Sequence, residues 1–108
     1  MNMASIQMNK ALFEELTAGE TPVLVNFSAP WCTYCRRIDP VYEMLARQYS
    51  GRILVAKVNI DDEPELAQRE RIELVPTLVL YREGKVLGDL VAPGSKAQIE
   101  EMVARLLK

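Results

Sequence analysis

Residues 23–37 have the sequence VLVNFSAPWCTYCRR, in which an apolar run leads directly into two cysteines and then into a helical pattern. The run Val23–Ser28 has the length and composition of a buried strand, interrupted by Asn26. Cys32 and Cys35 stand three residues apart, where this strand ends and the next helix begins. Since the chain of 108 residues has 2 cysteines, their spacing predicts a site of thiol and disulfide exchange.

The sequence around this stretch predicts further helices and strands. Met3–Ile6 has the character of a short strand, and Asn9 can cap a short helix that Gly19 ends in the left-handed conformation. After the cysteines, apolar residues repeat at helical spacing until Ser50-Gly51, which predicts a helix of about five turns. The apolar residues of this helix are Ile38, Val41, Tyr42, Leu45 and Tyr49.

A second buried-strand run, Ile53–Val58, follows that helix. Two buried strands joined by a helix predict a parallel pair with a right-handed crossover. Asp62 and Glu65 then have the spacing of a capping box at the start of another helix.

The last third of the chain predicts a different arrangement. Thr77–Arg82 and Lys85–Val91 are strand runs joined by a tight turn at Glu83-Gly84, which predicts an antiparallel hairpin. Ser95 and Gln98 have capping-box spacing before a final helix. We therefore expect an α/β fold of three layers, with a central mixed sheet covered by helices on both faces, in a single domain over residues 1–108.

Composition narrows the choice of partner and compartment. The net charge is -2 and the basic residues are scattered, so we expect no nucleic-acid partner and no membrane partner. Met1–Gln7 lacks the basic start of an export signal and precedes a polar stretch, which favours the cytoplasm. In a reducing compartment, two close cysteines are typical of catalysis or metal binding rather than of a structural disulfide.

The position of the dithiol assigns the two cysteines different roles. At the start of a helix, the sulfur of Cys32 lies near unsatisfied backbone N–H groups and the positive end of the helix dipole, and both features favour the thiolate. Cys32 is therefore the predicted nucleophile. Cys35 lies about one turn further along the same helix, where it can attack a mixed disulfide formed at Cys32.

Two alternatives to dithiol chemistry stay open on the residues alone. A zinc or iron–sulfur site needs about four ligands, and a chain with no histidine and no third cysteine could build one only across a dimer. The cysteines could also form a bridge without a function, or pack as thiols. Dithiol exchange itself requires no bound cofactor.

With these residues in place, the chain resembles the thioredoxin family over nearly its whole length. The features that carry the resemblance are Val23–Phe27, Ala29-Pro30-Trp31-Cys32-Thr33-Tyr34-Cys35, Pro40, Ala56–Asp61, Val75-Pro76-Thr77 and Glu83-Gly84. The resemblance implies a thioredoxin fold, reduction of disulfides in other proteins, and a thioredoxin-reductase-like electron donor. We also expect a monomer, because the dithiol must be presented to other proteins.

The resemblance also implies roles for residues outside the dithiol. Pro76 is expected to be cis and to pack beside the cysteines, while the backbone of Val75 pairs with a substrate strand. Trp31 is expected to shield the thiol and to contact the substrate protein. From the residues alone, Pro76 can equally be a strand-opening proline and Trp31 a packing aromatic.

One departure from the family pattern concerns proton transfer. Asn26 stands where thioredoxins usually carry a buried aspartate that helps to deprotonate the resolving cysteine, and an amide cannot take up a proton near neutral pH. Activation of Cys35 must then fall to solvent, to Cys32, or to a group near Lys57. Lys57 itself is either an electrostatic neighbour of the site or a strand residue whose ammonium reaches solvent.

Other departures concern the substrate surface. Thr33-Tyr34 replaces the usual Gly-Pro between the cysteines, which predicts a less reducing protein. Ala92 stands where a groove glycine is common.

An alternative function is therefore a binding or chaperone module with a thioredoxin fold and atypical cysteines. An oxidase or isomerase that donates disulfides is the third possibility, and it would usually need an export signal.

Overall fold

The structure is a computed structural model that describes residues 4–108. Within these residues, the strands and helices follow one another as β1 (Ile6–Gln7), α1 (Lys10–Thr17), β2 (Val23–Ser28), α2 (Thr33–Gln48), β3 (Leu54–Asn59), α3 (Pro64–Arg69), β4 (Thr77–Arg82), β5 (Lys85–Val91) and α4 (Lys96–Leu106). None of the helices in this part of the chain is long and apolar enough to cross a membrane.

The five strands form one mixed sheet in the order β1-β3-β2-β4-β5. β3 is parallel to β1 and to β2, whereas β4 is antiparallel to β2 and to β5. In the centre, Val25 lies beside Ala56 of β3 on one side and Val79 of β4 on the other. Strand β2, which leads to the cysteines, is thus the middle strand, and the predicted mixed sheet is confirmed.

Helices cover both faces of the sheet, as expected for three layers. Because side chains alternate along a strand, Leu24 packs with α2 and α4, while Val25 packs with α1 and α3. Asn26 shares the face of Leu24 and is fully buried. The side chains under α2 and α4 include Tyr42, Leu45, Leu80, Ile99 and Met102, and those under α1 and α3 include Phe13, Phe27, Leu66, Val79 and Tyr81.

Two of the expected helix caps form. Leu12 donates its backbone N–H to Asn9 Oδ1 at 2.9 Å, and Gln98 donates its backbone N–H to Ser95 Oγ at 3.2 Å. Each cap satisfies an N–H group that the first turn of a helix leaves without a partner. The Gln98 side chain accepts from the backbone N–H of Gly94, so the second half of the predicted capping box is shifted by one residue.

Four predicted boundaries differ from the structure. The strand expected over Ile53–Val58 is β3 at Leu54–Asn59, one residue later. α1 closes through Ala18 in the right-handed conformation and a bond from Gly19 N–H to the Leu16 carbonyl, so Gly19 is not left-handed. Pro64 takes the first position of α3, which makes Glu63 the N-cap and leaves Asp62 one residue too early to cap it. Within the expected strand 3–6, β1 begins at Ile6, and Met3 lies outside the described residues.

A buried tyrosine attaches α2 to the sheet. The hydroxyl of Tyr42 lies 2.6 Å from the Ala56 carbonyl oxygen of β3 and 3.0 Å from the Leu24 carbonyl oxygen of β2. Its side chain is fully buried, and burial raises the pKa of Tyr42 well above the usual value of a phenol. The helix that carries Cys35 is therefore held against the two strands behind it by a polar contact as well as by apolar packing.

Tyr42→Phe should lower the free energy of unfolding by about 1–2 kcal/mol, since it leaves buried carbonyl oxygens without this donor. Urea unfolding at neutral pH measures the change. Tyr49→Phe is the matched control, because Tyr49 is also buried on α2's C-terminal side but its hydroxyl has no hydrogen-bond partner among residues 4–108. Equal losses in the two variants would contradict a specific role of the Tyr42 hydroxyl.

Candidate active site

The dithiol lies where β2 ends and α2 begins. Cys32 is the N-cap of α2, with φ -86° and ψ 112°, and its Sγ accepts the backbone N–H of Cys35 at 3.1 Å. The Cys32 S–H faces the carbonyl oxygen of Val75 at 3.7 Å. Both residues are free thiols and are largely buried, with exposed fractions of 8% for Cys32 and 4% for Cys35. The structure therefore describes the reduced form of the pair.

The surroundings of Cys32 favour negative charge on its sulfur. The amide of Cys35 already points at Sγ, and the sulfur lies at the positive end of a helix of 16 residues. Hydrogen bonds to an ionised acceptor are stronger than those to a neutral one, and the helix dipole acts in the same direction. A thiolate at Cys32 can thus form without rearrangement of the backbone.

Cys35 has the opposite environment. Burial raises the pKa of the Cys35 thiol to about 12, and the hydrogen bond to Cys32 and the negative charges of Cys32 and Asp39 act in the same direction. At neutral pH, Cys35 therefore remains a thiol. Two cysteines three residues apart thus have different surroundings: Cys32 Sγ accepts an amide N–H at the start of a helix, whereas Cys35 is buried with a raised pKa.

Brief treatment with iodoacetamide at pH 7 should place one carbamidomethyl group on each reduced chain, at Cys32, because the thiolate is the reactive form and Cys35 keeps its proton. Peptide mass spectrometry identifies the modified residue. The same treatment in denaturant should modify both cysteines. Preferential modification of Cys35 in the folded protein would contradict the assignment.

The loop before β4 forms one wall of the site. The peptide bond between Val75 and Pro76 is cis, as the family resemblance implies, and Pro76 directly precedes the first residue of β4. The carbonyl of Pro76 accepts the backbone N–H of Ala92 at 2.8 Å, which joins this loop to the end of β5. Ala92 has a φ of +45°, a conformation that glycine adopts more readily than alanine.

The residues around the cysteines differ in exposure. Trp31 is 64% exposed and its indole N–H donates to Asp61 Oδ1 at 3.2 Å, so it is not a core aromatic. Thr33 is exposed as well. Tyr34 is half-buried, and its hydroxyl donates to the carbonyl oxygen of Pro93 at 2.6 Å. Tyr34 thereby ties the turn between the cysteines to the loop that follows β5.

Asn26 and Lys57 are neighbours in the sheet but have different surroundings. Asn26 is fully buried, and its side-chain oxygen and nitrogen have no hydrogen-bond partner within residues 4–108. Lys57, its partner in the register of β2 and β3, has its Nζ 3.1 Å from Asp39 Oδ1 and 3.7 Å from Glu43 Oε2. The ammonium of Lys57 is therefore paired with carboxylates of α2.

A cleft of about 350 Å³ lies behind the dithiol and is lined by Cys35, Arg36, Asp39, Lys57 and Asp62, among others. Lys57 and Cys35 both line this cleft, and the charges that act on the Cys35 thiol are those of Cys32 and of Asp39, the ion-pair partner of Lys57. Asp39 is the residue that the sequence analysis missed. The available signal was its spacing of four from Cys35, which places both on one face of a helix.

Comparison with known proteins agrees with this site. Residues 4–105 match a family model described as Thioredoxin. The chain belongs to the thioredoxin family. Members of this family are protein-disulfide oxidoreductases, and Cys32 and Cys35 supply the dithiol that the exchange needs. The protein is accordingly a thiol–disulfide oxidoreductase.

Relatives match along nearly the whole chain. The thioredoxin of Alicyclobacillus acidocaldarius is 35% identical over 105 residues, which is 97% of this chain and 100% of that protein. The chloroplastic M-type thioredoxin of Pisum sativum is 37% identical over 101 residues, 93% of this chain and 59% of that one. A point mutant of the thioredoxin from Halobacterium salinarum NRC-1 has a similar structure, with a TM-score of 0.86 and 25% identity over 98% of this chain and 93% of that chain. The thioredoxin fold predicted from the sequence is confirmed.

Thr33→Gly combined with Tyr34→Pro should give a more reducing thioredoxin. Tyr34 donates to Pro93 in the dithiol form, and a stabilised dithiol makes a protein less reducing. A hydrogen bond of about 1 kcal/mol corresponds to about 20 mV for this two-electron couple, so the reduction potential should fall by about 20 mV or more. Tyr34→Phe alone should lower the reduction potential by about 20 mV. Redox titration against glutathione measures both; a wild type as reducing as the Gly-Pro variant would refute the expectation.

Proposed function

We propose that this thioredoxin reduces disulfides in other proteins, with Cys32 as the attacking and Cys35 as the resolving cysteine. The observation that carries the proposal is the asymmetry of the pair. The Cys32 sulfur caps a helix and accepts an amide N–H, while burial keeps the Cys35 thiol protonated at neutral pH. Cys32 therefore attacks the substrate disulfide first, and Cys35 reacts once the mixed disulfide has formed.

The cycle has two exchanges. In the first, the Cys32 thiolate forms a bond to one sulfur of the substrate disulfide, and the other substrate sulfur leaves as a thiolate. In the second, Cys35 loses its proton and bonds to Cys32 Sγ, which releases the remaining substrate sulfur. The substrate gains two electrons and the protein is left with a Cys32–Cys35 disulfide. These steps need sulfur atoms and protons alone, so the proposed cycle uses no bound cofactor.

The proposed substrate surface surrounds the opening above Cys32. Trp31 and Thr33 are exposed beside the dithiol, and the carbonyl of Val75 already faces the Cys32 sulfur. An extended substrate segment would pair with the backbone of Val75 beside Pro76. Across the opening it would contact Ala92 and Tyr34. The Tyr34 hydroxyl donates to the carbonyl oxygen of Pro93, which holds the turn between the cysteines against the loop after β5.

The proposed partners follow from the cycle. Protein disulfides are the substrates, and a thioredoxin-reductase-like protein returns the Cys32–Cys35 disulfide to the dithiol. The protein acts as a monomer in the cytoplasm, where thiols are kept reduced. The Pisum sativum relative, in contrast, is named as a chloroplastic protein.

Reduction of insulin disulfides by dithiothreitol tests the proposal with two single variants. Wild type should accelerate the reaction, and Cys32→Ser should abolish the acceleration because no nucleophile remains. Mixed with insulin in the absence of dithiothreitol, Cys35→Ser should retain the first exchange and accumulate a mixed disulfide with the insulin chain, visible by mass spectrometry. Wild type that gives no acceleration over dithiothreitol would overturn the proposal and favour the binding or chaperone module.

A further inference from the structure

Two carboxylates lie in a row with Cys35 along α2. Cys35, Asp39 and Glu43 are spaced by four residues and therefore share one face of the helix. Opposite them, Lys57 of β3 binds Asp39 Oδ1 at 3.1 Å and approaches Glu43 Oε2 at 3.7 Å. Asp39 is the carboxylate nearer to Cys35 in the row, one turn away.

The resolving step needs a proton acceptor that the family position does not supply. Burial keeps Cys35 protonated at neutral pH, and Asn26 has an amide that cannot take the proton. Asn26 is also absent from the lining of the cleft behind the dithiol, whereas Asp39 and Cys35 both line it. At about 350 Å³, this cleft, which both residues line, has room for several waters.

We propose that Asp39 accepts the Cys35 proton, through water in this cleft, when Cys35 resolves the mixed disulfide. The bond from Cys35 Sγ to Cys32 Sγ forms as the bond from Cys32 Sγ to the substrate sulfur breaks, and the electron pair leaves with that sulfur as a thiolate. The proton moves from Cys35 to the Asp39 carboxylate. Because the Asp39 side chain is 44% exposed, it can then pass the proton to solvent.

Lys57 acts here as a positioning residue. It binds Oδ1 of Asp39, and Oδ2 has no partner in the described part of the chain, so one oxygen is fixed while the other can meet water. The assignment rests on the proposed roles of Cys32 and Cys35.

The sign of the effect separates this role from a purely electrostatic one. The negative charge of Asp39 raises the pKa of Cys35, so removal of the charge alone would ease ionisation and speed the resolving step. Loss of a proton acceptor would slow it. The other charged groups around the two residues are Arg36, Glu43, Lys57 and Asp62, whereas Cys32 carries no charge in the mixed disulfide.

The experiment uses the full chain and 5,5′-dithiobis(2-nitrobenzoate), which releases one coloured thiolate when Cys32 attacks and a second when Cys35 resolves. In stopped flow at pH 7, Asp39→Asn should leave the first phase unchanged and slow the second by about tenfold. The reduction is smaller than the usual 10²–10⁴ for general-base catalysis because solvent competes for the proton. The difference in second-phase rate between Asp39→Asn and wild type should shrink as pH rises, because hydroxide then accepts the proton in place of the carboxylate. Asp39→Glu should restore the second-phase rate.

Glu43→Gln is the matched control. It neutralises the other carboxylate beside Lys57 and keeps an acceptor for the Ser5 hydroxyl, which lies 2.6 Å from Glu43 Oε2. Both phases should stay within about twofold of wild type, since Glu43 lies a turn further from Cys35. A second phase that is unchanged or faster in Asp39→Asn, or equally slowed in Glu43→Gln, would overturn the role of Asp39. Absence of the first phase in wild type would instead overturn the proposed role of Cys32.

Discussion

The hydrogen bond from the Cys35 amide to the Cys32 sulfur connects the fold with the chemistry. It exists because β2 ends beside the start of α2, so that the N-cap position of the helix is occupied by a cysteine. The middle position of β2 in the sheet and the contact of Tyr42 with β2 and β3 fix this junction from behind. The donor and the acceptor both lie at the start of α2, so the bond is a local helix cap. The core packing of the sheet places this capped sulfur opposite the Val75 carbonyl.

The same junction gives two neighbouring thiols unequal environments. Cys32 lies at the open end of the helix, whereas Cys35 points into the protein, and burial is the largest cause of the raised pKa of its thiol. Even a symmetrical pair would lose its two protons in separate steps, since a second thiolate close to the first is unfavourable. Here the amide at the start of α2, the burial of Cys35 and the negative charge of Asp39 together supply the asymmetry. The proton of Cys35 then becomes the remaining chemical problem of the cycle.

Sequence patterns predicted the parts of this structure that depend on local spacing. The buried runs of β2 and β3, the caps at Asn9 and Ser95, and the hairpin of β4 and β5 follow from residues close together in the chain. The cap of α3 was predicted one residue too early, because Pro64 sets the first turn. The bond from Tyr34 to Pro93 spans 59 residues and the pair of Lys57 with Asp39 spans 18, so both depend on tertiary packing that no local pattern encodes. Resemblance to a family predicted the cis bond at Pro76 but gave no indication of these two contacts.

The replacement of a buried acid by Asn26 and the carboxylates on α2 have a common physical reason. An ionised carboxylate at a fully buried position such as that of Asn26 carries a large desolvation cost, which a neutral amide largely avoids even when it lacks partners. Lys57 lies beside Asn26 in the register of the sheet, and with a neutral neighbour its ammonium needs a counter-ion from another element. Asp39 and Glu43 supply it at the edge of the cleft, where each is partly hydrated. Charge that the family resemblance places at the buried position of Asn26 is here carried by a helix surface, in contact with both Lys57 and solvent.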